Sequence, residues 1–265
     1  ILAPAGTEES VRAAIAAGAD AVYLGAKSLN ARRGAGNFTD EELCRTVSLA
    51  HQYGVRVLLT VNTIVFDSEL EELDRLIRLA CDAAVDGVIL QDLAVWEYLR
   101  TRTRGLPMHA STQMAVHNLE GARQLEEMGF ARAVLARELS LEEIARIRAG
   151  TSLELECFIH GALCFCLSGQ CYLSAMIGGR SGNRGMCAQP CRLPFSGGGS
   201  SHSLSLKDLC AAALLPQLAR IGVNSVKIEG RMKRAEYVAA AVEACRLARE
   251  GKPFDLEKLR AVFTR

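Results

Sequence analysis

Six of the ten cysteines in this 265-residue chain lie in one glycine-rich stretch, residues 156–191, which reads ECFIHGALCFCLSGQCYLSAMIGGRSGNRGMCAQPC. Clustered thiols in flexible, glycine-punctuated chain are typical of a segment that wraps a metal centre rather than one that packs a core. The stretch also holds one histidine, His160. The chemistry that these residue types predict is therefore metal or redox chemistry. The six cysteines are Cys157, Cys164, Cys166, Cys171, Cys187 and Cys191.

The spacing of the cysteines discriminates between kinds of metal centre. Structural zinc sites usually draw on two tight pairs of cysteines, and only Cys187 and Cys191 approach such a pair. Cys164, Cys171 and Cys187 are widely and irregularly spaced, and Cys210 follows the sequence LKDL at the predicted head of a helix. Thiolates supplied by loops and by a helix start fit an iron–sulfur cluster better than a zinc ion.

Composition excludes several classes of protein. The formal net charge of +1 gives no overall electrostatic footprint for nucleic acid, although a local basic patch is compatible with it. No apolar run reaches the roughly 20 residues of a membrane span. The opening ILAPAG reads as a strand, so we expect no secretion signal and a reducing, cytoplasmic location for the cysteines. The cysteines on predicted amphipathic helices, Cys44, Cys81 and Cys245, are expected to be small core hydrophobes.

Strand-like and helix-like segments alternate along the chain with a period of roughly 25 to 30 residues. Thr7, Thr39 and Ser140 are predicted helix caps, and Gly18 and Gly54 are predicted helix ends. The seventh strand is SLELECFIHG, and the eighth is NSVKIEGR, with a helix predicted for LSLKDLCAAALLPQLARIG between them. Eight such units with apolar strands predict a parallel (β/α)8 TIM-like barrel, in which the cysteine-rich stretch is an insertion after the seventh strand. A doubly wound open sheet is the alternative.

Polar side chains follow nearly every predicted strand. This recurrence favours the barrel, because barrel active sites are built from the loops at the carboxyl ends of the strands. We therefore expect these side chains to line a shared mouth. They are Tyr23, Asn62, Gln91, Asp92, His109, Ser111, Gln113, Arg137, Glu138, Glu156, His160, Lys227, Glu229 and Arg231.

The motif HGALC-x6-C, followed by LSAMIGGRSGNRGMCAQPCR, LSLKDL and VKIEGRMKRAEYVA, resembles peptidase family U32, the collagenase-like proteins. The opening LAPAGTEESVRAAIAAGADAVYLG, the central MHASTQMAVHN and the closing KLRAVFTR extend this resemblance over essentially the whole chain. The resemblance implies a TIM-like barrel with an oxygen-sensitive 4Fe–4S cluster held by four cysteines. The matching positions are Cys164, Cys171, Cys187 and Cys210, with Cys191 as the substitute for one of them and Cys166 as a bystander.

The resemblance also implies an activity. Better-understood relatives are oxygen-independent hydroxylases of tRNA, ribosomal RNA or a ubiquinone precursor, and prephenate is implicated as the hydroxyl source of the RNA-modifying ones. The segment KIEGRMKRAEYVA is most similar to the RNA-hydroxylating branch, so the expected substrate is RNA or a small aromatic molecule. Neither G-x-S-x-G nor H-E-x-x-H is present. A collagenase-like endopeptidase is nevertheless one alternative, and a hydroxylase subunit for a ubiquinone precursor or a non-catalytic metal-binding subunit is another.

Candidate roles follow from position along the chain. His160 and Glu156 directly precede the first expected ligand, so they are assigned to proton handling, and His109 is grouped with them as catalytic. Lys227 and Arg231 are expected to hold carboxylates, and Gln113 and Glu229 are further substrate-binding candidates. The alternative for His160 is a structural hydrogen bond that supports the cysteine loop. A local patch for an RNA backbone or a dicarboxylate is predicted from Arg32, Arg33, Arg180, Arg184, Arg192, Arg231, Lys233 and Arg234.

Two features depart from the family pattern. The segment RLPFSGGGSSHSLS after Cys191 is shorter than is usual in the family, and the chain stops at AVFTR, where relatives continue into further domains. We expect residues 1–265 to form one barrel domain of a longer protein, with 157–210 as its cluster-binding segment. A partner subunit or additional C-terminal domains would then complete substrate recognition.

Overall fold

The computed structural model describes residues 1–195 and 201–262. Eight parallel strands close into a barrel, because β1 pairs with both β2 and β9, and β7 pairs with both β6 and β9. The predicted (β/α)8 architecture is confirmed, and the open sheet is excluded. The barrel strands are β1 (Leu2–Pro4), β2 (Ala21–Leu24), β3 (Arg56–Val61), β4 (Gly87–Leu90), β5 (Met108–Ala110), β6 (Arg132–Val134), β7 (Glu154–Gly161) and β9 (Ser225–Ile228), and the short antiparallel β8 (Leu209–Cys210) lies outside the barrel.

The helices other than α7 (Leu173–Gly178) surround the barrel and pack their buried apolar residues around the strands, whereas α7 lies in the cysteine-rich segment with Met176 and Ile177 exposed. They are α1 (Glu8–Ala17), α2 (Asp40–Gln52), α3 (Leu70–Asp82), α4 (Leu93–Arg102), α5 (Leu119–Glu127), α6 (Leu141–Gly150), α7 (Leu173–Gly178), α8 (Leu215–Ile221), α9 (Ala235–Arg249) and α10 (Leu256–Val262).

The predicted helix caps are present. The Thr7 side chain accepts a hydrogen bond from the Ser10 backbone at the start of α1, and Gly18 ends that helix with φ of 91°. Thr39 and Ser140 each form a capping box, in which the cap side chain and a glutamate three residues later satisfy each other's backbone donors. These local signals explain why the helices begin where the sequence predicts.

The hydrophobic core has two layers. The larger layer lies between the strands and the helices and includes Cys245, as predicted. Cys44 is half-buried and Cys81 is exposed, so the prediction of a buried Cys81 is wrong. Cys81 follows the buried Ala80 on α3, and one residue turns a helix by about 100°, which places its side chain toward solvent. The smaller layer fills the barrel and consists of Leu2, Ala21, Tyr23, Leu58 and Ile89.

The region after the cysteines differs from the prediction. A helix was predicted across 204–222, but α8 covers only its second half, with Pro216 in the first turn. Before it, β8 pairs antiparallel with the end of β7, where Cys210 lies opposite His160 and Leu209 lies opposite Gly161. The long β7 extends past its parallel neighbours and offers free backbone groups that this short strand satisfies. Residues 196–200 of the short linker lie outside the described residues.

Within the described residues, no helix is both long and apolar enough to cross a bilayer.

Candidate functional site

The cysteine-rich segment lies at the carboxyl-terminal face of the barrel. It leaves the barrel at the end of β7, as predicted, and it contacts the loops that follow other strands. Gln170 donates to the Gln113 backbone carbonyl after β5 (3.2 Å), and Arg184 donates to the Ile64 carbonyl after β3. The thiols therefore lie at the end of the barrel where active sites of this fold are found.

An ion-pair network occupies the barrel interior beneath this face. We call Arg132, Glu156 and Lys227 the interior cluster, and the half-exposed Glu154 pairs with Arg132 at its edge. The Glu156 carboxylate is 1% exposed and lies 3.3 Å from Arg132 Nη1 and 3.3 Å from Lys227 Nζ. Although burial opposes its charge, these two cations hold the pKa of Glu156 below its ordinary value. Glu156 is therefore a fixed carboxylate that orients Lys227.

His109 borders the interior cluster as a neutral imidazole. It is 6% exposed, and its Nδ1 atom has no hydrogen-bond partner among the residues that the structure describes. Burial, together with the charge of Arg132, lowers the pKa of His109 to about 4. The structure therefore brings His109, Glu156 and Lys227 together, as the sequence predicts.

Four charged residues form a second group above the interior cluster. We call it the mouth cluster: Arg32, Arg137, Glu229 and Arg231. Arg32 Nη2 lies 3.2 Å from the Glu229 carboxylate, which is 17% exposed. Burial opposes the charge of Glu229, but the charges of the three arginines lower its pKa overall. Three cations thus face one anion, which leaves the mouth with an excess of positive charge.

Arg231 is held rigidly in the mouth cluster. Its guanidinium donates to Thr60 Oγ1 (2.8 Å) and to Asn30 Oδ1 (3.1 Å), and burial lowers its pKa to about 10, so it stays protonated at neutral pH. A Cβ atom at Gly25 would lie 2.3 Å from Arg231 Nη1, so the glycine makes room for this guanidinium. Arg231 is therefore a fixed charge with neutral hydrogen-bond partners.

Arg137 is a member of the mouth cluster that the sequence placed among the polar strand ends but to which it assigned no role. Its Nη1 donates to the Ala162 carbonyl (3.1 Å), and its guanidinium lies 5.3 Å from the centre of the Phe158 ring. Its Nε atom is buried and has no hydrogen-bond partner within residues 1–195 and 201–262. The signal in the sequence was its position after the sixth strand, but nothing there distinguished it from the other polar strand ends.

Aromatic rings separate the two clusters. Lys227 Nζ lies 4.4 Å from the centre of the Tyr23 ring and 5.6 Å from that of Phe158. The Tyr23 hydroxyl donates to the Ile228 carbonyl (2.8 Å). The Lys227 charge thus lies against aromatic surface inside the barrel.

Gln113 belongs to an amide network on another side of the mouth. Its side-chain oxygen accepts from Asn62 Nδ2 (3.0 Å), and Asn62 in turn accepts from the Ala31 backbone. Gln91 donates to the Asn62 carbonyl (2.9 Å). The strand-end amides therefore connect the loops after four strands.

His160 is not placed in the mouth. A β-bulge between Phe158 and His160 sets Phe158 level with Lys227 inside the barrel and His160 level with Ile228, a residue of the outer core. The His160 ring accordingly lies 5.6 Å from the ring of Tyr237 on α9. This position separates His160 from Glu156, its expected catalytic partner, and a structural hydrogen bond from His160 to the cysteine loop stays a prediction.

The expected cluster ligands are all free thiols, and several of them influence one another. Burial and the charges of Cys164, Cys187 and Cys171 raise the pKa of Cys191, although Arg192 opposes the shift. The charge of Cys187 also helps to raise the pKa of Arg32, so this thiol lies near the mouth cluster. A group of soft thiol donors at one end of the barrel fits an iron–sulfur cluster.

Cys210 is the expected ligand that lies apart. It is exposed on β8 opposite His160, and its charge contributes to the raised pKa values of Tyr237 and Cys245. In the part of the chain that the structure describes, no three His, Cys, Asp or Glu side chains converge on a site for one metal ion. A 4Fe–4S cluster presents four separate irons to four cysteines, so its thiols need not converge on one point.

The fold and the site together define a closed parallel (β/α)8 barrel with a thiol-rich segment over a positively charged mouth. The family model described as peptidase family U32 matches residues 6–252, and the chain belongs to this family.

Curated relatives carry different names. The chain is 42% identical over 246 residues to the 23S rRNA 5-hydroxycytidine C2501 synthase of Escherichia coli, which covers 90% of this chain and 37% of that relative. It is 36% identical over 260 residues to the tRNA hydroxylation protein P1 of Bacillus subtilis, covering 93% and 62%. It is also 36% identical over 260 residues to a collagenase of Porphyromonas gingivalis, covering 90% and 62%. The chain thus spans less than two thirds of these relatives.

Solved structures support the fold. A U32 peptidase aligns with a TM-score of 0.55 at 20% identity and covers 81% of this chain and 86% of that structure. Phosphoribosylanthranilate isomerase of Thermotoga maritima aligns with a TM-score of 0.53 at 10% identity and covers 94% and 98%. At these identities the likeness concerns the barrel alone.

Proposed function

We propose that this chain is the barrel domain of an oxygen-independent RNA hydroxylase that carries a 4Fe–4S cluster and takes its hydroxyl group from prephenate. The observation that carries the proposal is the excess of positive charge in the mouth cluster beside the thiol of Cys187. The rRNA- and tRNA-hydroxylating relatives support the RNA substrate. The whole protein is longer in those relatives, so other domains would contribute to RNA selection.

The cluster would be bound by Cys164, Cys171 and Cys187, and its fourth ligand would be Cys210 or Cys191. When bound, such a cluster would supply one-electron chemistry beside the mouth. The protein supplies binding, orientation and the exclusion of water.

The mouth cluster would bind the small acid. Arg137 has an unpartnered Nε beside Nη2, and this edge of a guanidinium can take a carboxylate through two parallel hydrogen bonds. Arg231 and Lys227 already donate to Thr60, Asn30 and Glu156, so they contribute fixed charge rather than direct carboxylate contacts. The excess of two positive charges in the mouth matches the two carboxylates of prephenate.

The RNA base would enter from the same face. A base inside a duplex cannot reach the floor of a barrel mouth, so an unpaired or flipped nucleotide is required. Arg33, Arg180 and Arg234 are exposed around this face and would contact backbone phosphates. Glu229 is the carboxylate of the mouth positioned to accept a proton, because Glu156 is sealed in the interior.

The test uses the full-length protein purified under argon. Iron and sulfide contents and the visible spectrum are measured first, and the protein is then incubated with prephenate and RNA from a strain that lacks the modification. We expect about four irons per chain and a hydroxylated nucleoside by mass spectrometry. A cluster-loaded enzyme that hydroxylates only a quinone precursor, or a metal-free enzyme that cleaves peptides, would contradict the proposal.

A further inference from the structure

Two carboxylates of the barrel loops hold the cysteine-rich segment. Glu138, after β6, accepts hydrogen bonds from the side chain (2.9 Å) and the backbone (3.2 Å) of Ser168. Glu69, between β3 and α3, pairs with both terminal nitrogens of Arg184, with 2.7 Å between Nη1 and Oε2. Ser168 and Arg184 both belong to the segment that carries the thiols.

The contact between Glu69 and Arg184 is partly buried, and other groups of the protein also hold the Arg184 side chain. The Arg184 side chain is 17% exposed, its guanidinium lies 4.3 Å from the centre of the Phe66 ring, and it also donates to the Ile64 carbonyl. The next residue, Gly185, has φ of 77°, and a Cβ there would lie 2.6 Å from the Asn30 carbonyl oxygen. The turn that contains Arg184 and Gly185 therefore packs closely against the β2–α2 loop and is hydrogen-bonded to the β3–α3 loop.

The two contacts have the same spacing from a cysteine. Ser168 lies three residues before Cys171, and Arg184 lies three residues before Cys187. We propose that Glu69 and Glu138 are positioning residues that hold Cys187 and Cys171 over the barrel mouth in readiness for an iron–sulfur cluster. The part of this proposal that concerns the cluster rests on the proposed function, whereas the anchoring itself does not.

The physical reason is entropic. A glycine-rich loop that becomes ordered only when it binds its ligand loses conformational freedom at that moment, and this cost weakens binding. Paired hydrogen bonds to a carboxylate fix the loop beforehand, and they are stronger than hydrogen bonds between neutral groups. Because the Arg184–Glu69 pair is largely buried, it is also less screened by salt than an exposed pair.

The anchoring is tested first on the reduced, metal-free protein by hydrogen exchange and mass spectrometry. Glu69→Ala is expected to raise amide exchange in 181–187 by about tenfold, and Glu138→Ala to do so in 167–171, with each variant leaving the other segment unchanged. Two matched controls replace carboxylates that bind elsewhere. Glu72→Ala loses bonds to Ser28 and Arg75, and Glu126→Ala loses bonds to Thr151 and Ser152, and neither is expected to change exchange in these segments.

The cluster is tested next by its spectrum and its retention. After anaerobic reconstitution, Glu69→Ala and Glu138→Ala are expected to lose iron to a chelator about tenfold faster than the controls and to change the electron paramagnetic resonance spectrum of the reduced cluster. Glu138→Gln keeps one oxygen acceptor for Ser168 but loses the charge and the second acceptor, so its retention is expected to lie between those of Glu138→Ala and the wild type. Exchange and retention equal to those of the controls would overturn the proposal. If the wild-type protein bound no cluster, the proposed function would fail, while the exchange result would still decide the anchoring.

Discussion

Replacing Glu156 by glutamine tests the account of the barrel interior. Glutamine keeps the shape of the side chain but removes the charge that lies 3.3 Å from Lys227 Nζ and 3.3 Å from Arg132 Nη1. At an effective dielectric constant of about 20, each of these contacts corresponds to about 5 kcal/mol of Coulomb attraction, part of which is offset by desolvation. Removing one partner of a buried ion pair usually costs about 3–5 kcal/mol, and we expect a loss of this size for Glu156→Gln.

The measurement is urea unfolding at pH 7, followed by circular dichroism. Glu154→Gln is the matched control, because its carboxylate also pairs with Arg132 but is 47% exposed, and we expect it to cost less than about 1 kcal/mol. The double variant Glu156→Gln/Lys227→Met removes the unpaired cation as well and is expected to recover part of the loss. If Glu156→Gln lowered the free energy of unfolding by less than about 1 kcal/mol, Glu156 would not be a strongly coupled partner of Lys227 and Arg132. The same would follow if the effects of the Glu156 and Lys227 substitutions simply added in the double variant.

Three further predictions concern acid, ligands and substrate. The pKa of His109 is about 4 in the folded chain and near 6.5 in the unfolded chain. Between pH 6.5 and pH 4 only the unfolded chain therefore binds a proton at this residue, so the free energy of unfolding decreases as the pH falls. Between pH 7 and 5 the wild type should lose about 2 kcal/mol more than His109→Phe in urea unfolding. If Cys210 is the fourth ligand, Cys210→Ser should abolish iron binding under argon and Cys191→Ser should not. The opposite result would make Cys191 the fourth ligand. Arg137→Gln should raise the KM for prephenate about tenfold, whereas a kcat effect alone would contradict a binding role.

The barrel could be predicted because its signals are local. Caps such as Thr39 and Ser140 and the alternation of apolar strands with amphipathic helices depend on residues close in sequence. The position of the cysteine segment also followed, because an insertion after a parallel strand emerges at the carboxyl-terminal face. The approach of His109 to Glu156 followed from the closure of the barrel.

Other features depend on tertiary contacts that no short stretch encodes. The β-bulge after Phe158 turned His160 outward, and a bulge of one residue leaves no clear mark in FIHG. The pairing of Cys210 with the end of β7 replaced a helix start, since the free backbone of a long strand outweighed local helix propensity. The lack of a hydrogen-bond partner for Arg137 Nε among the described residues could not be predicted, because it depends on which acceptors the fold brings near this atom.

The origin of the oxygen atom tests the central claim most directly. Full-length, cluster-loaded protein is incubated under argon with unmodified RNA and prephenate that carries ¹⁸O in its hydroxyl group, and the nucleosides are analysed by mass spectrometry. If the hydroxyl group comes from prephenate, the hydroxylated nucleoside should carry the heavy isotope and should disappear when the cluster is removed. An unlabelled product, or a product formed equally well by the cluster-free protein, would contradict it.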